Sequence, residues 1–281
     1  MDNQIFQWNR FLAALKKEVV ENWRTLLFST IGIYGILTMF MILGNLIFGN
    51  TSSRPIVMLR YVFVYMIFSF CSLFVASLAF RGLTSKKGRI ELLTSPSSTF
   101  EKFMVNTLIY VLGFIVIFPI CAQLADLTRF LILCPWSDGD VPGPINFLNT
   151  IHQFAFQQDY WELKSQVLFE VSLWIGVLAA PGCYLLGSIL WPKLSFLKTL
   201  AALYVIEFAV SILLIGGILL AINFTDISNL REFAQWVSEN IQFSTLMLCF
   251  VIFSAIQLIV YWALSWWLWK RKDVISLKWW S

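Results

Sequence analysis

Glu207, Asp126 and Arg129 lie inside apolar runs of this sequence, where a charged side chain is costly unless it is paired or hydrated. Glu207 shares one helical face with Tyr204 and Ser211. Its carboxylate could carry protons along a transport path, or it could bond to neighbouring helices, and the sequence leaves both open. Asp126 and Arg129 are three residues apart in another run. This spacing predicts an ion pair on one helix face, with a structural role favoured over a role in a transport path.

A second group with possible chemistry is the apolar cluster Ile90, Leu92 and Leu93, which interrupts an otherwise basic loop, residues 81–103. The surrounding cations are Arg81, Lys86, Lys87, Arg89 and Lys102. Exposed apolar clusters rimmed by charge usually mark partner sites. We therefore expect a short helix presented to a soluble partner. The alternative is a loop that binds lipid headgroups.

The end of the same loop carries helix-boundary signals. Pro96 disfavours continuation of a helix through it, and Ser98-Thr-Phe-Glu101 fits a capping box. Ser98 can accept a hydrogen bond from the Glu101 amide at the start of the next apolar run, just before Lys102. The loop helix should therefore end near Pro96, and the following helix should begin at Ser98.

Motifs of enzymes and nucleotide-binding proteins are missing from the sequence. The cluster Gly82–Arg89 lacks the GxxxxGK[ST] spacing of a phosphate-binding loop. His152 is the single histidine, which excludes a histidine-based metal centre or catalytic triad, and the five cysteines form no CxxC pair. We therefore predict that the chain is not an enzyme and holds no metal or cofactor of its own.

The composition shows which elements must position these residues. Hydrophobic residues make up 59% of the chain and charged residues 13%, against about 25% charged in soluble domains. With so little charge, lipid must be the solvent for much of the surface. Because only helices or closed barrels satisfy backbone groups in lipid, and no alternating ten-residue pattern indicates a barrel, we predict an all-α polytopic membrane protein.

Six runs are long enough to span a hydrocarbon core of about 30 Å. They form one predicted transmembrane domain, 26–269, with spans 26–48, 57–80, 103–133, 166–190, 199–222 and 244–269. Residues 1–25 carry an apolar stripe at helical spacing, which predicts an amphipathic helix in the membrane interface. The segments 134–164 and 223–243 lie between spans with no assigned role, and residues 270–281 form a tail.

The cations set the predicted orientation. Fifteen of the 20 Lys and Arg residues fall in the N-terminal segment, the 81–103 loop, the 191–198 connection or the tail. Positive residues collect on the cytoplasmic side, so both termini are predicted to be cytoplasmic. The net charge of +4 follows from this asymmetry and does not indicate a nucleic-acid partner.

The loop also carries a family resemblance. Leu92-Leu-Thr-Ser-Pro-Ser-Ser-Thr-Phe-Glu-Lys-Phe103 resembles the LPASxxEKF loop of type 2 permeases of ATP-binding-cassette (ABC) exporters from Bacteroidetes, with Thr94-Ser95-Pro96 where Pro-Ala-Ser is usual. Phe196-Leu-Lys198-Thr199 resembles a Phe-Ile-Lys-Thr motif of the same group. The amphipathic N-terminus followed by six spans is similar too.

The resemblance implies a permease subunit in the bacterial inner membrane that works as a homodimer or heterodimer. It implies a separate cytosolic ATPase, which binds ATP and Mg²⁺, docked on residues 90–102. Two other functions remain open from the residues alone. One is an ion-coupled secondary transporter that uses Glu207, and the other is a membrane scaffold or assembly subunit without transport activity.

Overall fold

Long apolar helices form the framework of the chain. The computed structural model describes residues 6–48, 54–136, 143, 163–224 and 242–271, and these residues contain helices and no strand. The helices are α1 (Trp8–Phe48), α2 (Arg54–Ser77), α3 (Lys86–Thr94), α4 (Thr99–Leu133), α5 (Leu163–Leu190), α6 (Ser195–Phe224) and α7 (Phe243–Arg271). A 3₁₀ turn, Arg81–Thr84, precedes α3.

Within the described residues, five helices are long and apolar enough to cross a membrane, namely α1, α4, α5, α6 and α7. α2 contains a shorter apolar stretch, Val62–Ser77. Large apolar side chains face outward along these helices, among them Phe208 and Leu213, which are 71% and 75% exposed. The predicted all-α fold is confirmed for the described residues, and these long apolar helices are compatible with a membrane protein.

The predicted boundary at residue 25 is not a break in the helix. α1 continues through it for 41 residues, a length of about 61 Å. The structure therefore joins the predicted interfacial helix and the first predicted span into one element. Where residues 8–25 lie relative to a membrane stays a prediction.

The predicted span 57–80 begins within α2 and extends three residues beyond its end at Ser77. Each of the remaining predicted spans lies within one helix. The longest of them, 103–133, continues to its end without a break, although α4 includes a π-helical turn, Leu108–Gly113, and an interior proline, Pro119. Most of the segments 134–164 and 223–243, and nearly all of the tail 270–281, lie outside the described residues.

α1 and α4 run side by side in the same direction. The Gln7 amide donates to Glu101 Oε1 at 2.9 Å near their starts, and the Tyr34 and Thr128 hydroxyls bond at 2.7 Å farther along. The two contacts are 27 residues apart on both helices. An apolar core that includes Leu37 of α1, Phe68 of α2, and Phe114 and Phe118 of α4 packs these helices together.

α5 packs against α2, α6 and α7, and small residues permit its closest approaches. At Gly187, an added Cβ would lie within 2.8 Å of the Thr199 Cβ of α6. At Gly182, it would lie 2.7 Å from Trp262 Nε1 of α7. The same indole nitrogen donates to the Leu178 carbonyl at 3.2 Å. Glycine is therefore required at two contact points of α5.

Several chain segments meet at one end of the helices. Trp269 Nε1 near the end of α7 donates to the Thr99 carbonyl at 2.9 Å, and Thr84 Oγ1 donates to the Pro192 carbonyl at 3.1 Å. The start of α1 lies at the same end, because Gln7 and Arg10 hydrogen-bond Glu101. We call this region, formed by residues 6–24, 78–103, 191–195 and 262–271, the loop end. It unites the segments that the cation pattern assigns to the cytoplasm, but the side of a membrane that it faces stays a prediction.

Candidate functional site

The short helix predicted in the loop is confirmed as α3, and both of its ends are capped. The Ser85 hydroxyl accepts from the Gly88 amide at 3.0 Å, and the Ser95 amide donates to the Glu91 carbonyl at 3.1 Å. Ser95 has extended backbone dihedrals, as expected for the residue before Pro96. Sequence-local hydrogen bonds thus define a helix of nine residues between α2 and α4.

α3 fits closely against the turn that precedes it. An added Cβ at Gly88 would clash with the Gly82 carbonyl oxygen, which is backbone and cannot move aside as a side chain would. Ile90 of α3 is 61% exposed. Leu92 and Leu93 belong to α3, but their side chains lie outside the part that the structure describes.

An ion pair connects α3 to α1. Lys17 Nζ lies 3.0 Å from Glu91 Oε1, and both side chains are about half exposed. The hydrogen bond with Glu91 raises the pKa of Lys17, and the same bond lowers the pKa of Glu91. The pair favours both charged forms and holds α3 beside the first turns of α1.

Glu101 is the most heavily bonded side chain of the loop end. The predicted capping box is confirmed: Ser98 Oγ accepts from the Glu101 amide at 3.2 Å, and Glu101 Oε2 accepts from the Ser98 amide at 2.8 Å. Beyond the box, Arg10 Nε donates to Oε2 at 2.7 Å and to Oε1 at 3.0 Å, and the Gln7 amide donates to Oε1. The Glu101 side chain is fully buried.

These bonds control the charge of Glu101, which precedes the predicted span 103–133. Burial would raise its pKa, but the hydrogen bonds from Arg10 and from the Gln7 and Ser98 amides outweigh burial and lower the pKa to about 2. Glu101 is therefore an anion at neutral pH. Next to it, Lys102 Nζ donates to the Ser95 carbonyl at 3.2 Å, which ties α4 back to the end of α3.

Aromatic side chains pack against one another in the loop end, near Glu101. Phe80 lies 4.5 Å from Trp269 and 6.0 Å from Phe103, between ring centroids. Trp266 meets Phe100 and Phe103 edge-on at 5.3 and 5.5 Å. The loop end is thus packed with rings from the end of α2, the start of α4 and the end of α7. Apart from the high tryptophan content, no sequence pattern predicted this convergence of rings.

Asp126 and Arg129 form the predicted ion pair. Arg129 Nε lies 2.5 Å from Asp126 Oδ1, and both side chains are buried. Arg129 Nη2 also donates to the Gly143 carbonyl at 3.4 Å. This pair belongs to the end of α4 opposite the loop end. The hydrogen bond connects residue 143 to the helix, and whether the pair is structural or lines a transport path stays a prediction.

Glu207 lines a cleft of about 530 Å³ between α2, α5, α6 and α7. The same wall includes Tyr204, and the opposite walls include Tyr65, Gln257 and Tyr261. Asp126 and Arg129 do not line this cleft, so Glu207 and the Asp126–Arg129 pair lie in two separate places. Glu207 is an exposed residue, and whether a membrane would leave it facing lipid stays a prediction.

Comparison with known proteins adds no relative. No protein-family model, no curated protein and no solved structure matches this chain.

Proposed function

We propose that the chain is the membrane-spanning permease subunit of an ATP-driven ABC exporter, coupled to a separate cytosolic ATPase through residues 81–103. Two permease copies, identical or homologous, would form the translocation path. The chain itself would bind neither ATP nor Mg²⁺, which belong to the ATPase.

The observation that carries the proposal is the way α3 is held. The helix is capped at both ends, is pressed against Gly82, and is connected to α1 by Lys17–Glu91 and to α4 by Lys102–Ser95. A flexible loop would absorb the motion of a partner. A braced short helix with an exposed apolar residue, Ile90, would pass that motion to α1 and α4.

The proposal includes an orientation in the bacterial inner membrane. The loop end would face the cytoplasm, with both termini on that side, in keeping with the cation asymmetry. Single cysteines placed at positions 87 and 278 should resist membrane-impermeant thiol reagents in intact cells and react after the cells are permeabilised. Labelling in intact cells at either position would reverse the orientation.

The coupling element is tested by co-purification. Ile90→Asp, and separately the double variant Leu92→Asp with Leu93→Asp, should insert normally and lose the cytosolic ATPase that co-purifies with the unchanged chain. Affinity purification of the permease followed by an ATP hydrolysis assay measures both association and stimulation. An ATPase that still associates and is still stimulated in both variants would refute docking at α3.

Leu194→Asp provides a matched control. Leu194 is an exposed leucine at the same end, 69% exposed, and its φ of 54° suits aspartate better than leucine. The substitution adds the same charge to the same end without touching α3. It should leave the ATPase bound, so loss of the ATPase in this variant too would attribute the effect to charge alone.

A secondary transporter is the second candidate, and the placement of Glu207 on a cleft supports it. If proton coupling drives transport, Glu207→Gln abolishes transport and no ATPase co-purifies. If an ATPase drives transport, the ATPase remains bound to the Glu207→Gln variant. A scaffold without transport activity predicts partner binding but no substrate movement in reconstituted vesicles.

A further inference from the structure

The cleft that contains Glu207 has the size and lining of a small-molecule site. Its volume of about 530 Å³ lies within the usual range of ligand pockets, about 300–1,000 Å³. Four helices contribute to its walls, and no single helix face forms it. These helices are apolar, so a molecule that occupies the cleft must have a largely apolar body.

Aromatic residues, most of them tyrosines, supply much of the polar lining of the cleft. Tyr65 of α2, Tyr204 of α6, and Tyr261 and Phe250 of α7 all line the cleft. Ring faces attract cations, and the attraction grows when water is excluded. Gln257 adds one amide on the α7 side. The polar character of the lining therefore favours positive charge over negative charge.

Glu207 supplies the only formal charge of the lining residues. Its carboxylate forms no hydrogen bond or ion pair with any other residue in the described part of the chain, and its backbone carbonyl alone is bonded, to Ser211. In an apolar setting an unpaired carboxylate is costly, and a bound cation would remove that cost. The contrast with Glu101 and Asp126, which are both paired with arginine, is direct.

From the cleft and its lining we infer that the chain binds a lipophilic organic cation, with the cationic centre beside Glu207 and the apolar body among the tyrosine rings. The inference depends on the proposed function for the step from binding to export. Binding itself concerns this chain alone, so it can be tested without an ATPase.

The test compares two probes of nearly the same shape and opposite charge, tetraphenylphosphonium and tetraphenylborate. Binding to the purified full chain in neutral detergent is measured by equilibrium dialysis. The cation should bind more tightly than the anion. Glu207→Gln should weaken binding of the cation on the order of tenfold and should not weaken binding of the anion. Glu21→Gln removes one exposed carboxylate from α1 and should change neither affinity.

A steric variant places the ligand in the cleft independently of charge. Gly176 lines the cleft, and nothing lies within 4 Å of an added Cβ there, so Gly176→Phe should fill the space and abolish binding of both probes. Gly44→Phe makes the same change on α1, also at an open position, and should bind normally. Both proteins must elute as a single species in size-exclusion chromatography.

Three results would overturn the inference: equal affinity for the two probes, an unchanged cation affinity in Glu207→Gln, or normal binding in folded Gly176→Phe. Each differs from failure of the exporter proposal. If the cation binds as expected but no ATPase co-purifies, the cleft site stands and the coupling proposal falls. If an ATPase docks on α3 and the cation does not bind, the reverse holds.

Discussion

The loop end and the cleft satisfy their carboxylates in different ways. Glu101 accepts hydrogen bonds from one guanidinium and two backbone amides and is fully buried. Glu207 has no such partner among the described residues and is exposed on a wall of the cleft. In the first region, other groups of the protein neutralise and hydrogen-bond the carboxylate. In the second region, the carboxylate has no such partner among the described residues and is available to a ligand. A region of the first kind suits transmission of motion, and a region of the second kind suits binding.

The largest effect is expected from Glu101→Ala. The substitution removes the acceptor of Arg10 and of the Gln7 and Ser98 amides, and bonds to charged groups contribute about 1.5–3 kcal/mol each before compensation. We expect a loss on the order of 3 kcal/mol, measured by SDS-induced unfolding in micelles. Glu101→Gln keeps a capping side chain and should lose less. Equal unfolding of Glu101→Ala and the unchanged chain would show that the bonds are dispensable.

Next in size is a pair of substitutions on α5. Gly187→Ala forces Thr199 to shift and should destabilise by about 1–3 kcal/mol. Gly176→Ala is the same change beside the open cleft, and it should stabilise by up to about 1 kcal/mol because alanine favours helix more than glycine. Opposite signs in one unfolding assay would support the packing difference. Equal signs would contradict it.

Acid should weaken the loop end by a smaller amount. The pKa of Glu101 is lowered from 4.5 to about 2, so its contribution is complete above about pH 5 and declines as the pH falls towards 2. At pH 3 the folded protein still holds the carboxylate charged, and only part of the contribution is lost. The amount of SDS that unfolds half of the protein should be lower at pH 3 than at pH 5. This difference should be smaller in Glu101→Gln. Parallel profiles for the two proteins would refute this origin.

The smallest effect is expected from Glu91→Gln. The Lys17–Glu91 pair is about half exposed, and exposed pairs contribute about 1 kcal/mol or less. Stability should change little, and the change should vanish in high salt. Because the pair positions α3, association with the ATPase should weaken more than stability does. A stability loss as large as that of Glu101→Ala would mean that the two ion pairs are equivalent.

Local signals in the sequence predicted local structure well. The capping box of Ser98, the short helix before Pro96 and the Asp126–Arg129 pair all depend on residues within four positions of each other, and all three are confirmed. The contacts of Glu101 with Gln7 and Arg10 could not be foreseen, since more than 90 residues separate the partners. Helix packing alone brings them together.

Hydropathy predicted where the long apolar helices lie, although five of them, against six predicted spans, are long and apolar enough to cross a membrane within the described residues. Element boundaries at polar residues were not predicted. Charged residues between 10 and 24 suggested that the amphipathic segment and the span would be separate, whereas α1 runs through without a break. Charge in a helix does not interrupt its backbone hydrogen bonds, so polarity marks a change of surroundings and does not mark an end. The cleft was equally hidden, because its lining comes from four helices.

The parallel pairing of α1 and α4 has one more consequence. α4 contains two weak points, the π-helical turn at Leu108–Gly113 and the interior Pro119, where regular hydrogen bonding is disturbed. Both lie on α4 between the residues Glu101 and Thr128, which contact α1. The α1 helix beside them contains no proline. α1 therefore supports α4 on both sides of the two positions where α4 would bend most easily. A push on α3 would reach the far end of α4 as a displacement of the whole pair, and α4 would bend only where α1 bends with it.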